Sequence, residues 1–180
     1  MAQNNLISLA EFQTLARPAS VHMDESEVLA YVREAEDLNI KPLIGIDTYT
    51  QLVEAAVPAQ QLPAELQTLL LGGNYTPANG CGGEMECYGL KRAVAYLAYA
   101  RMIAANGGMV TRTGYYQHDD DYASRMDDKN RANARRDVQN MADFYLASCA
   151  DYWATISQSC CRKAVRGSLV RIKSIGHISE

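Results

Sequence analysis

The sequence has little of what most enzymes need. Histidine occurs three times, at His22, His118 and His177, and none stands in a spaced constellation with a nucleophile. There is no Gly-rich phosphate loop, no Gly-x-Ser-x-Gly elbow and no His-Glu-x-x-His. Catalysis therefore has almost no support in the residues, and no cofactor is expected. A charged-then-apolar leader and a long uninterrupted apolar run are also missing, so the chain reads as cytoplasmically made, with no membrane partner. Five cysteines are an odd number without a disulfide framework's spacing, and they read as reduced thiols. Cys81 and Cys87 lie six apart and Cys160 and Cys161 are adjacent, neither being the spacing of structural zinc.

Forty-eight per cent of the 180 residues are apolar, enough for one sizeable core and too many for disorder. Charge is unevenly placed. Residues 1–90 carry three basic and twelve acidic side chains, a balance of −9; residues 91–180 carry fourteen and nine, a balance of +5, and the whole stands at −4. Complementary halves suit head-to-tail contact between identical subunits, and equally suit neutralisation within one fold.

The central stretch is Tyr88–Ala105, YGLKRAVAYLAYARMIAA. Helical rotation of about 100° per residue scatters Lys91, Arg92 and Arg101 and points apolar side chains in nearly every direction, which predicts a helix buried on most sides. Its alanines allow close approach, and Leu90, Val94 and Leu97 belong to the core.

Before it, Ser8 and Glu11 have capping-box spacing and predict a short helix over 9–16, ended by Arg17-Pro18. Asp24 with Glu27 starts an amphipathic helix whose apolar stripe is Val28, Tyr31, Val32, Ala35 and Leu38, with Glu25, Arg33, Glu34, Glu36 and Asp37 on its outer face. Asp47 is placed to cap a helix through Tyr49 and Leu52, and Pro63 opens another over 64–71 that Gly72-Gly73 ends. Residues 72–87, rich in breakers, read as a loop.

After it, residues 109–118 predict a small hairpin turning near Thr113-Gly114. His118 and Asp119–Asp121 have the residue types of a divalent-cation site but not the Asp-x-Asp-x-Asp-Gly alternation, so they read as a solvated loop. The longest helical pattern runs from Asp127 to about Arg166. Its first third is polar, with Arg131, Arg135 and Arg136. Packing is expected from Val138 onward, with Met141, Tyr145 and Trp153 in the core. Gly167 ends it, and SLVRIKSIGHISE, including Val170 and Ile172, alternates as an extended arm would. The fold class is thus mostly α: a bundle of short N-terminal helices plus two long core helices, one small β-hairpin and a C-terminal arm, forming one domain over 1–166 with the arm over 167–180.

The run ISLAEFQTLARPAS, the helix through YVREAEDL, IKPLIGIDTYTQL, YGLKRAVAYLAYARMI, the VTRTG hairpin and the long helix through NMADFY follow in an order and spacing that resemble the head–tail connector (adaptor, neck) proteins of tailed phages and prophages, particularly of Bacteroides-type hosts. The likeness covers about residues 6–155. It implies a structural, non-enzymatic virion protein at the phage neck, forming a ring, usually dodecameric, under the capsid portal. Such a ring extends the DNA channel, touches passing DNA transiently and without sequence preference, and docks the tail or the next neck protein. Within it, Arg112, Tyr115, Tyr116, Arg131, Arg135, Val170 and Ile172 are the expected contacts to a neighbouring subunit or the portal. The alternative is a small helical DNA-binding or regulatory protein using the basic C-terminal half, where Arg131, Arg135 and Arg136 join Arg162, Lys163, Arg166, Arg171 and Lys173.

Overall fold

The computed structural model describes residues 5–16, 24–54, 62–77, 83–105, 109–111, 114–116 and 128–157. The chain is mostly helical. In order it forms α1 (Leu9–Leu15), α2 (Glu25–Ala35), a π-helical turn (Glu36–Ile40), α3 (Lys41–Ile44), α4 (Ile46–Glu54), α5 (Ala64–Leu71), β1 (Gly73–Tyr75), β2 (Met85–Cys87), α6 (Leu90–Ala105), β3 (Met109–Thr111), β4 (Gly114–Tyr116) and α7 (Asp128–Ile156).

Helix α6 is the axis. Leu90, Ala93, Val94, Ala95, Leu97, Ala98 and Ala100 are all buried, so apolar side chains meet protein on every side, with α7 and α2 packed most extensively and α5 and α1 beside them. The small alanine faces are what allow that many neighbours to come close. One hydrophobic cluster joins Leu6, Ile7 and Phe12 at the N-terminal end to Ala142, Cys149 and Tyr152 of α7.

The local signals act as their chemistry requires. At α1 the Glu11 amide donates to Ser8 Oγ and the Ser8 amide donates to Glu11 Oε2 at 2.9 Å, a complete capping box. At α2 the Asp24 carboxylate accepts from the Ser26 amide at 2.8 Å. Asp47 lies inside the first turn of α4 rather than capping it, because Gly45, at φ +83°, has already turned the chain and its carbonyl accepts the first helical bond from Tyr49.

Two readings of the α2 region are corrected, and they share a cause. Glu36, assigned to the outer acidic face, is buried at 1 % exposure, whereas Leu38, assigned to the apolar stripe, is 67 % exposed. The π-helical turn inserts one extra residue per turn, so the 3.6-residue periodicity that holds through Ala35 slips. Glu36 then turns inward and Ile40 takes the core position.

The 72–87 segment is also more ordered at its ends than a loop. β1 and β2 pair antiparallel, with Gly73 opposite Cys87 and Tyr75 opposite Met85. The crossing beneath them is very tight: a side chain at Gly89 (φ +85°) would come within 2.6 Å of the Leu71 backbone. β3 and β4 form the expected hairpin, Thr111 opposite Gly114 and Met109 opposite Tyr116.

α7 behaves as its composition dictates. Asn130, Arg135 and Arg136 are exposed, and steady burial starts at Val138 and continues through Ala142, Tyr145, Cys149 and Tyr152. The expected extension to Arg166 and the arm over 167–180 lie outside the described residues.

Candidate interaction surface

Large apolar side chains left in solvent are the feature of this surface that needs a reason. Leu71 at the end of α5 is 51 % exposed and Phe144 on α7 is 55 % exposed. Tyr88 joins them. Its ring lies 5.3 Å from the Phe144 ring, and it lines with Leu71 a groove of about 360 Å³ between α1, the end of α5 and the start of α6. Leu15, Lys91 and Arg92 complete the wall.

The groove is held rigidly. The Tyr88 amide donates to Ser148 Oγ at 3.3 Å, fixing the entrance of α6 against α7. Lys91 Nζ donates to Glu11 Oε1, tying α6 to α1. Burial acts to raise the Glu11 carboxyl, but the hydrogen bonds from Lys91 and Ser8 outweigh it and hold that carboxyl below its usual range. The Arg92 guanidinium stands 5.7 Å from the Tyr145 ring centre, so the rim is cationic and aromatic together. Such a wall, apolar with a basic edge on a fixed backbone, suits a protein partner.

Leu38 in the π-helical turn and Ile46, 60 % exposed, at the start of α4 are further large apolar side chains in solvent. Their flanking charges are Asp37, which Lys41 pairs, and Asp47.

The core assignments divide. Leu90, Val94 and Leu97 have no exposed surface, Tyr145 is buried and Trp153 is partly buried against the core. Trp153 Nε1 has no hydrogen-bond partner among the described residues. Met141 is corrected: at 37 % exposure it sits on the flank of α7, one turn from Phe144, and extends the exposed apolar surface instead of the core.

The expected contact residues divide as well. Arg135 is exposed and lines a pocket with Tyr31, Glu34, Arg101 and Gln139. Arg101 itself donates to Asn39 Oδ1 at 2.7 Å and lies 3.8 Å from Glu34, and its burial lowers its pKa. Part of the charge asymmetry is thereby neutralised within the chain, by Glu34 of α2 and Arg101 of α6, with Arg135 of α7 lining the same pocket. Arg131 lies in the first turns of α7, and Tyr115 and Tyr116 lie on β4, opposite Val110 and Met109. Arg112, Val170 and Ile172 lie outside the described residues, as do Cys81, Cys160, Cys161, His22, His177 and the His118–Asp121 group.

Sequence reasoning missed the Leu71–Tyr88–Phe144 grouping. The signal was available only in part: Leu71 ends a helix of three consecutive leucines that cannot all face inward, and Phe144 stands among Asp143, Asn140 and Ala147 on the polar side of α7.

Residues 40–157 match the model of a family described as a family of unknown function (DUF6712). The chain belongs to that family. The matched segment holds α3 through α7 and both strand pairs, and with them Leu71, Tyr88 and Phe144, while α1, α2 and Glu36 precede it. No curated protein and no solved structure matches the chain. Among the described residues no helix is long and apolar enough to cross a membrane, and no group of three or more His, Cys, Asp or Glu side chains is placed to hold a metal ion.

Proposed function

We propose that this DUF6712 chain is a structural subunit of a phage neck, assembling into a ring that joins the capsid portal to the tail and extends the DNA channel. The observation that carries the reading is that large apolar side chains stand exposed on separate elements: Leu71 on α5 and Phe144 and Met141 on α7, near the half-buried Tyr88, and Leu38 and Ile46 in the π-helical turn and α4. A subunit of a closed ring needs two different faces, each complementary to its neighbour's other face, and a monomer with one site needs only one. The helical core, the β3–β4 hairpin after α6 and the polar first turns of α7 agree with the connector resemblance in order and spacing. The reading makes the chain a virion protein without enzymatic activity or cofactor, whose partners are further copies of itself, the portal and the tail or next neck protein.

The test is negative-stain imaging with mass measurement of the protein alone and mixed with the portal protein from the same genome. Rings stacked coaxially on the portal support the proposal. A monomer that ignores the portal and binds duplex DNA with steep salt dependence overturns it in favour of a DNA-binding role for the exposed Arg135 and Arg136.

A further inference from the structure

Cys87 closes β2 and Cys149 lies in the buried stripe of α7, 62 positions away in sequence. Both are buried, and their sulfurs stand 3.9 Å apart, one S–H donating to the other. A bond between them needs about 2.05 Å, so roughly 2 Å must be closed. Rotation of the two side chains about their Cα–Cβ bonds can supply that movement without shifting Tyr88, and the strand that carries Cys87 leaves a way in. It is three residues long, its Met85 and Glu86 are exposed, and its partner β1 is equally short. The exposed Met85 and Glu86 bring solvent to the residue beside Cys87, a path by which a small oxidant reaches a sulfur that the fold covers.

We propose that Cys87 and Cys149 are a redox modification site, in which a hydroperoxide oxidises Cys87 and Cys149 closes a disulfide that fastens β2 to α7. The Cys87 thiolate attacks one peroxide oxygen; the O–O bond breaks, and hydroxide or alkoxide leaves as the sulfur becomes a sulfenic acid. The Cys149 sulfur then bonds to the Cys87 sulfur, the S–OH bond breaks, and water departs with the Cys149 proton. Two thiols lose two electrons, and hydrogen peroxide takes them to become two waters. The surroundings favour this order. Cys87 follows directly on the exposed Met85 and Glu86 and its contact with Cys149 lowers its pKa, whereas Cys149 lies within α7, where contact with the Cys87 sulfur and burial push its thiol up. The pair thus has an attacking and a resolving member.

The experiment uses the full chain carrying C81S, C160S and C161S, which leaves only this pair, treated with hydrogen peroxide. The expected result is a fall from two titratable thiols per denatured chain to none, in a product that stays monomeric. Reductant restores both thiols, and the oxidised form melts on the order of 10 °C higher, as closing so long a loop requires. Peptide mapping of the oxidised wild-type chain under non-reducing conditions gives the same answer independently of how the triple variant folds: the peptides holding Cys87 and Cys149 appear joined. Two thiols persisting after treatment, sulfinic acid on Cys87 without the cross-link, or a wild-type map lacking the joined peptides overturns the proposal and leaves an ordinary pair of core thiols.

Discussion

Glu36 accepts the Leu6 amide at 2.7 Å on one carboxylate oxygen and the Tyr49 hydroxyl at 2.8 Å on the other, so one buried side chain holds the N-terminal segment and α4 against α2. Burial is the largest influence on it and raises its pKa above 4.5, the two hydrogen bonds opposing that rise; burial and the neighbouring Glu36 push the Tyr49 hydroxyl up in turn. A carboxyl whose pKa is higher folded than unfolded favours the fold most when protonated. Its contribution is therefore fully present below the unfolded pKa near 4.5 and is lost as pH rises through the higher folded value. Glu36→Gln keeps one acceptor and removes the buried charge, so its melting temperature should lose this component of pH dependence. Glu36→Ala strands both donors and should cost about 2–4 kcal/mol at neutral pH. A denaturation series of the three proteins from acid to neutral pH checks both, and a Gln variant with the wild-type pH slope would contradict the assignment. Gly89 makes a comparable point with backbone. At φ +85°, with Leu71 backbone where a Cβ would stand, Gly89→Ala should destabilise by roughly 2–4 kcal/mol in chemical denaturation, more than conformational preference alone would cost.

At the scale of elements, Leu71 and Phe144 look outward from helices whose inner faces, Leu69 and Leu70 on α5 and Ala142, Tyr145 and Cys149 on α7, are buried. Substituting Leu71→Asp or Phe144→Asp removes little burial and should alter stability by about 1 kcal/mol or less. If the groove and the Tyr88–Phe144 contact beside it meet a partner, the same changes should abolish ring formation with the portal in the imaging assay while leaving the melting curve nearly unmoved. Loss of helicity instead would make these residues part of the core. The elements also show which physics is legible in a sequence. Pro63 and Gly72 bracket α5 because proline and glycine act on their own dihedrals, and Ser8 with Glu11 start α1 through a bond three residues long. Such signals are local and were readable. The inward turn of Glu36 was not, because a π-helical turn is stabilised by what Glu36 reaches across the fold, at Leu6 and Tyr49. The β1–β2 pairing was equally hidden: Gly73 and Cys87 meet across a breaker-rich span because the ends of α5 and α6 press together at Gly72 and Gly89. For the surface, composition showed that α7 has a polar side but not that Phe144 would find Tyr88 there.

For the whole molecule, the question is which parts serve the fold and which serve assembly. The hydrophobic cluster is already continuous from Leu6 to Tyr152 within the described residues, and α7 is anchored at its far end by the Tyr152 hydroxyl donating to the Glu65 carbonyl at 3.1 Å and by the Tyr75–Tyr152 ring contact at 4.8 Å. Residues 170–180 carry two basic side chains, Arg171 and Lys173, among Val170, Ile172 and Ile175, a pattern suited to strand addition on a partner. Deleting Val170–Glu180 should therefore leave the far-UV circular dichroism spectrum helical and the melting temperature within a few degrees of the full chain, because the described residues already form a continuous core. In the same preparation, rings on the portal should become fewer or fail to form. A truncated chain that is unfolded would mean that the tail completes this core rather than a neighbour's. A truncated chain that assembles as well as the full one would shift the whole burden of contact to the Leu71–Phe144 groove and the β3–β4 hairpin.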